Sequence, residues 1–520
     1  MGRIESYSLL YCGGPIGKLT QRSNRFAHGS DGARVSYRSH DRSDWISGLL
    51  NISRPTCVLI VVTESARSAV SPPGIAEIVE DSLRGWRGSG SRFPQLGSPY
   101  ARGEQLGREN GLERYLNSVD AEMRNTSRTQ KAAERITGRI ASLFAQIATY
   151  ALDSEDPFIG SLLRDGFSRI GLDLARSARR LDSEVSMADI LQAARNAWTA
   201  CGLQLLLGKP LRLTPAIFAY SMLYPYTDNY LDQTAVSRDS KLRFSKRFRR
   251  RLEGDRLAPA DRREDTIWQL VGFIESEYPR ASFPQVYDSL LHIHHAQQES
   301  IFQLRGRQSD IDVARLTVTK GGTSVLADAY LAAGNLTEVE ARFAFNWGVV
   351  LQLGDDLQDF HSDRKSGSLT LFTQAAERGN LDEITNRTLN FSQGVMRQMD
   401  GLANCREELK HLLARSSRLL LIRSAAAAPE WYTASFLDRL ERHSPFGFAF
   451  LRDREQRFAR RRRSYSRLFE QALNSTPDSR GPAPENWQVS LRPAPEVDYN
   501  FIEARRLAEE ECSDFLATQC

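Results

Sequence analysis

From Glu113 to Asn474 the apolar residues return at intervals of three and four, and no alternating apolar–polar stretch bounded by hairpin turns interrupts them. "KAAERITGRIASLFAQIATYAL" carries this period over several turns. "MADILQAARNAWTACGLQLLLG" does the same and closes on a glycine, a common helix stop. A helical period kept over so much chain, with each helix needing a partner for its apolar stripe, predicts an all-α fold built as a single large helical bundle. The flanks have a different texture. Residues 1–112 are rich in Ser, Gly, Arg and Pro, as in "GWRGSGSRFPQLGSPYARGEQLG", and are expected to be mostly disordered, so that deleting residues 1–100 should leave stability and turnover nearly unchanged. Residues 475–520 form a Pro-rich tail, "STPDSRGPAPENWQVSLRPAPE", followed by a short acidic helix at "FIEARRLAEEECSDFL". The catalytic domain is therefore expected within residues 113–474.

Charge and cysteine usage set the surroundings. A formal net charge of +5 is mild, compatible with an anionic substrate and not demanding nucleic acid. Cys12, Cys57, Cys201, Cys405, Cys512 and Cys520 form no C-x-x-C pair and no Cys/His zinc spacing, which fits a reducing compartment. The longest apolar run, "CVLIVV", is far too short to span a bilayer, and the first residues lack a signal-peptide pattern, so a cytoplasmic protein is expected.

Two acidic clusters break the apolar patterning. "LQLGDDLQDFHSD" places Asp355, Asp356 and Asp359 close together on a helix. "YPYTDNYLDQ" places Asp228 and Asp232 one turn apart among Tyr224, Tyr226 and Tyr230. Either cluster alone reads as an exposed helix edge. Two of them on opposed helices make an oxygen cage of the kind Mg²⁺ prefers, with phosphate oxygens and water completing the shell.

These residues resemble motifs of the isoprenoid synthases, the all-helical superfamily of trans-prenyltransferases and class I terpene synthases. "LQLGDDLQD" is similar to the second aspartate-rich motif FQ-x-x-DD-x-x-D, with Gln352, Asp355, Asp356 and Asp359 in place and Leu351 for Phe. "TKGGTSVL" resembles the K-T-[AG]-x-L helix before that motif, with Lys320 and Thr323 split by two glycines. "DRKSGSLTL" resembles the segment after it, and "DNYLD" resembles the first motif DD-x-x-D with Asn229 at its second position. The resemblance, which covers roughly residues 202–373, implies a bundle of isoprenoid-synthase type. It further implies a prenyl diphosphate substrate and three Mg²⁺ ions held by Asp228, Asp232, Asp355, Asp356 and Asp359. Lys320, Arg364 and Lys365 are the expected diphosphate donors, with Arg238 and Arg243 as further basic candidates and Gln352 in the substrate site. Tyr220, Tyr224 and Trp347, with Phe218 and Phe345, are aromatic candidates for lining a carbocation pocket, against ordinary core packing.

Departures from the motifs bear on the reaction. No Arg pair follows the first motif, and "GKPLRLTP", similar to the co-substrate motif G-K-x-x-R-P, stands closer to Asp228 than the family spacing. Ionisation signals without co-substrate signals favour a terpene synthase. A chain-elongating prenyl diphosphate synthase and a catalytically inactive helical homologue are the alternatives. His292, His294 and His295 in "LLHIHHAQQ" are read as a polar helix face or cavity lining, since no carboxylate or cysteine accompanies them at metal spacing. The basic runs "KLRFSKRFRRRLEG" and "RFARRRRSYSRLF" suit a solvated face, a diphosphate lid through Arg463 or Tyr465, or contact with an anionic membrane surface. No nucleic-acid-binding module surrounds them. A homodimer is compatible with this reading.

Overall fold

A computed structural model describes residues 74–125, 139, 142, 146, 150–154, 156–233, 236–302 and 312–475. The expected features that fall on residues 1–73, on most of 126–149 and on the tail 476–520 lie outside the described residues. The described part holds seventeen α-helices and no strand. They are α1 (Ile75–Gly88), α2 (Arg102–Asn125), α3 (Pro157–Ser161), α4 (Ser168–Leu181), α5 (Met187–Leu206) and α6 (Pro215–Asp232). There follow α7 (Arg238–Glu253), α8 (Arg262–Glu277), α9 (Pro284–Phe302), α10 (Val313–Ala333), α11 (Glu338–Gln358) and α12 (Phe360–Ser366). The last are α13 (Leu371–Arg378), α14 (Asp382–Arg397), α15 (Glu407–Ala426), α16 (Ala434–Glu441) and α17 (Phe448–Ser475). A π-helical turn, Leu162–Phe167, joins α3 to α4.

Local chemistry explains the helices that carry the acidic motifs. Thr214 caps α6 through the amide of Ile217, and Pro215 fills the first turn, where a missing N–H costs nothing. Thr337 and Glu340 form a reciprocal capping box at the start of α11. As the glycine in its sequence suggests, α5 stops just before Gly208, whose φ of 66° lies in the left-handed region.

The centre of the bundle is α10. Its middle, Gly321 to Ala332, is buried almost without interruption, as expected of a helix enclosed on all sides. It packs on α11, α9, α5 and α6. The two glycines inserted in "TKGGTS" allow this. A Cβ on Gly321 would stand 2.6 Å from the carbonyl oxygen of Gly348, and one on Gly322 would enter the Phe345 ring. The backbones of α10 and α11 therefore meet with nothing between them.

The N-terminal expectation needs correction. Residues 74–112 are not disordered. They form α1 and the first half of α2, and Ile78, Val79, Leu83 and Trp86 of α1 are buried in the main core. Arg342 of α11 fastens the outer face of α1 through Glu77 at 2.8 Å and Asp81 at 2.6 Å. Spacing of i, i+1, i+5 and i+8 makes a narrow apolar stripe that the surrounding Gly, Ser and Arg mask in any compositional average. No helix among the described residues is long and apolar enough to cross a membrane.

Candidate functional site

The Gly321–Gly348 contact fixes what faces the second acidic motif. One turn before Gly321, Thr317 Oγ1 donates to Asp356 Oδ2 at 3.4 Å. One turn beyond Gly348, Gln352 Nε2 donates to Asp356 Oδ1 at 2.8 Å, the i to i+4 reach of a helix. Asp355 and Asp356 are both buried, and Asp359 is half-buried at the C-cap of α11. Burial pushes the Asp356 carboxyl up to about 6, against the pull of the Gln352 amide, the Lys320 charge and the Thr317 hydroxyl. Asp363 of α12, also buried, is pushed up to about 7 by burial and then by the Asp356 charge, with Lys320 pulling it back. Lys320 is thus the cation that both carboxyls feel.

Asp228 on α6 is half-buried and accepts a hydrogen bond from Gln297 Nε2 of α9 at 2.9 Å. The register of the helices then locates it. Gly334, at the end of α10, lies against Phe283 at the start of α9, and Tyr278 donates to the Leu331 carbonyl at 2.9 Å, so α9 and α10 run antiparallel. The climb from Phe283 to Gln297 is roughly 21 Å at about 1.5 Å per residue. The same descent along α10 from Gly334 ends at Lys320. Tyr220 agrees, its hydroxyl lying 3.4 Å from the Ser324 carbonyl earlier along the same climb. Asp228 and Asp356 therefore belong to the same end of the bundle, on the two sides of α10. Asp232 ends α6 one turn further out; its side chain lies outside the described residues.

The remaining candidates distribute as follows. Tyr224 is half-buried on α6. Trp347 is fully buried, stacks on Phe343 and lines an apolar pocket with Trp198, Leu205, Leu409 and Leu413. Its indole N–H makes no hydrogen bond. Phe218 and Phe345 pack in the core, against Phe273 and Gly322. Arg238 and Arg243 are exposed on α7, where Arg243 donates to Ser240 Oγ at 3.1 Å. Arg364 and Lys365 are exposed on α12, and the Arg364 guanidinium lies 4.3 Å from the Trp431 ring centroid, which Phe360 also contacts. The structure brings together Lys320, Gln352 and Asp356, buries Asp355 next to them in the chain, sets Asp228 level with them, and engages Arg364 with Trp431. The side chains of Arg463 and Tyr465 lie outside the described residues.

Asn229 has a structural reason. Its Nδ2 donates to Asp189 Oδ1 at 2.7 Å, and Asp189 also accepts from Ser186 Oγ at the start of α5. An aspartate at 229 would face that carboxylate. Of the histidines, His294 is buried, bonds through Nε2 to the Ser245 carbonyl at 3.0 Å, and is pushed down to about 4 by burial; His292 and His295 are exposed. Among the described residues no group of three or more His, Cys, Asp or Glu side chains is placed to hold a metal ion.

Sequence reasoning missed four contributors: Thr317, Asp363, the role of Gln297, and a buried network on α10. In that network Asp328 accepts from Asn196 Nδ2 at 3.0 Å, Asn196 also reaches Ser221 Oγ at 3.2 Å, and burial raises the Asp328 carboxyl well above its ordinary range. A lone Asp in the apolar run "VLADAYLAA" was the available signal for it.

The Asp363 environment has a measurable consequence. Its folded pKa lies above the ordinary carboxyl value, so between about pH 4 and 7 the native state binds the extra proton and stability falls as pH rises. Asp363→Asn is expected to flatten that decline and to gain about 1–3 kcal/mol at pH 8 in urea unfolding of metal-free protein. A variant profile parallel to the parent would contradict it.

No family model, curated protein or solved structure matches this chain.

Proposed function

We propose that the chain ionises an allylic prenyl diphosphate at the Asp228/Asp356 end of the bundle, releasing diphosphate and a terpene hydrocarbon or alcohol. The observation that carries this reading is the helix register that sets Asp228 of α6 and Asp356 of α11 at the same end of the bundle, level with Lys320. The donor chemistry there suits Mg²⁺: carboxylates close together, with no thiolate. Because no three donors form a ready cage among the described residues, the ion would take one or two carboxylates from Asp355, Asp356 and Asp359, or from Asp228 and Asp232. Mg²⁺ bound in this way commonly completes its shell with water and substrate phosphate. When bound, it would neutralise the diphosphate and ease its departure.

The chain's own groups supply the rest. Lys320 adds a fixed positive charge for the leaving group. Gln352 and Thr317 hold Asp356, and Gln297 holds Asp228, so neither carboxylate must reorganise when substrate arrives. Trp347 stands two turns before Asp355, roughly 12 Å along the helix, and offers an aromatic wall to the hydrocarbon.

Release is preferred to chain elongation on a specific observation. The loop with Lys209 and Arg212 enters α6 at its N-terminus, roughly 20 Å along the helix from Asp228, and both side chains are exposed. They are badly placed to hold a second diphosphate beside the first. Lys209→Ala and Arg212→Ala are therefore expected to change turnover less than about twofold, and isopentenyl diphosphate is expected not to lengthen the product. A sharply raised KM for isopentenyl diphosphate in those variants, or a longer prenyl diphosphate as product, would select elongation instead. The second reading is an inactive helical homologue, and a protein that binds no Mg²⁺ with or without inorganic diphosphate would bear that reading out.

A further inference from the structure

We propose that the exposed face of α7 docks the protein on an anionic lipid bilayer. The helix follows directly on the acidic end of α6 and is anchored from below: Phe244, Phe248 and Leu252 are buried, and Phe248 stacks on Trp268. Its outer side is strongly basic, and the basic residues fall into two groups. Towards the C-terminus each arginine has an acidic neighbour: Arg247 with Glu264 at 2.9 Å, Arg249 with Glu253 at 2.9 Å, Arg250 with Asp255 at 2.7 Å and Arg251 with Glu275 at 2.6 Å. Earlier in the helix, half-buried Lys241 and exposed Arg243 and Lys246 form no ion pair with any described residue. Between them stands Leu242, 37% exposed and one of only three large apolar side chains exposed among the described residues.

That combination separates a bilayer from other polyanions. Cations of this kind gather anionic headgroups, each gaining about fivefold in affinity near a charged membrane surface. A leucine among them can enter the headgroup boundary, where nucleic acid offers it nothing. Single-stranded nucleic acid would instead call for exposed aromatic rings on which bases stack, and none of the three exposed apolar side chains is aromatic. Burial of the opposite face keeps α7 lying along the surface instead of inserting. Binding is thus shallow, reversible and weakened by salt. The inference does not depend on the reaction proposed above.

The test is flotation of the full chain with phosphatidylcholine vesicles, with and without phosphatidylserine, at low and high salt. Binding is expected only with phosphatidylserine and should fall steeply at high salt. Lys246→Glu is expected to weaken it by at least about fivefold, and Leu242→Ser to weaken it while leaving the salt dependence in place. Circular dichroism of both variants confirms that the helices are retained. Absence of binding to anionic vesicles, equal binding to neutral ones, or unchanged binding by both folded variants would overturn the proposal. So would tighter, Lys246-dependent binding of single-stranded RNA than of vesicles.

Discussion

Asp355→Asn and Asp356→Asn should each lower diphosphate release by about a hundredfold or more, with the fold intact. A carboxylate that helps hold a divalent ion on a leaving group acts mainly where charge develops, so its loss falls on kcat. An amide has the shape of the carboxyl and leaves the local packing unchanged. At Asp356 it would also remove a buried charge that burial already disfavours, so the metal-free variant should melt no lower than the parent. The measurement is kcat at saturating Mg²⁺ beside a thermal melt without metal. Unchanged kinetics in both variants would reduce the cluster to a packing feature of the α10–α11 contact.

The second large effect lies in α1. Trp86→Ala is expected to cost about 3–5 kcal/mol in urea unfolding. Trp86 is 2% exposed and meets Phe391 of α14 edge to face at 5.7 Å, so its removal leaves a hole between two helices that cannot simply close. Removing residues through Arg92 should be worse, because Arg342 would then lose Glu77 and Asp81 and α11 would expose the surface that α1 covers. A truncated chain as stable as the parent would show that α1 only rests on the bundle.

How far these features were readable depended on the range of the interactions behind them. The helical class, the end of α5 at glycine and the helical setting of both acidic clusters follow from period and spacing, which are local. The stripe of α1 was equally local, but Gly, Ser and Arg on either side outweighed it. Other features needed the tertiary structure. Asp363 closes the quoted stretch "LQLGDDLQDFHSD", yet nothing in the string says that it is buried beside Asp356. Arg364 matches a basic motif position, while Trp431, which it covers, comes from a distant turn. The glycine pair at Gly321 and Gly322 looked like an insertion in a motif. Its physical use is to let α11 approach α10 closely enough for Thr317 to reach Asp356.

The proposed function is tested most directly by incubating the purified chain with allylic diphosphates from C10 to C25, with Mg²⁺ or with chelator, while following inorganic diphosphate and organic-extractable product. Mg²⁺-dependent diphosphate release is expected with at least one chain length, with a hydrocarbon or alcohol as product and no turnover in chelator. No release with any substrate in Mg²⁺, or full release in chelator, would contradict it.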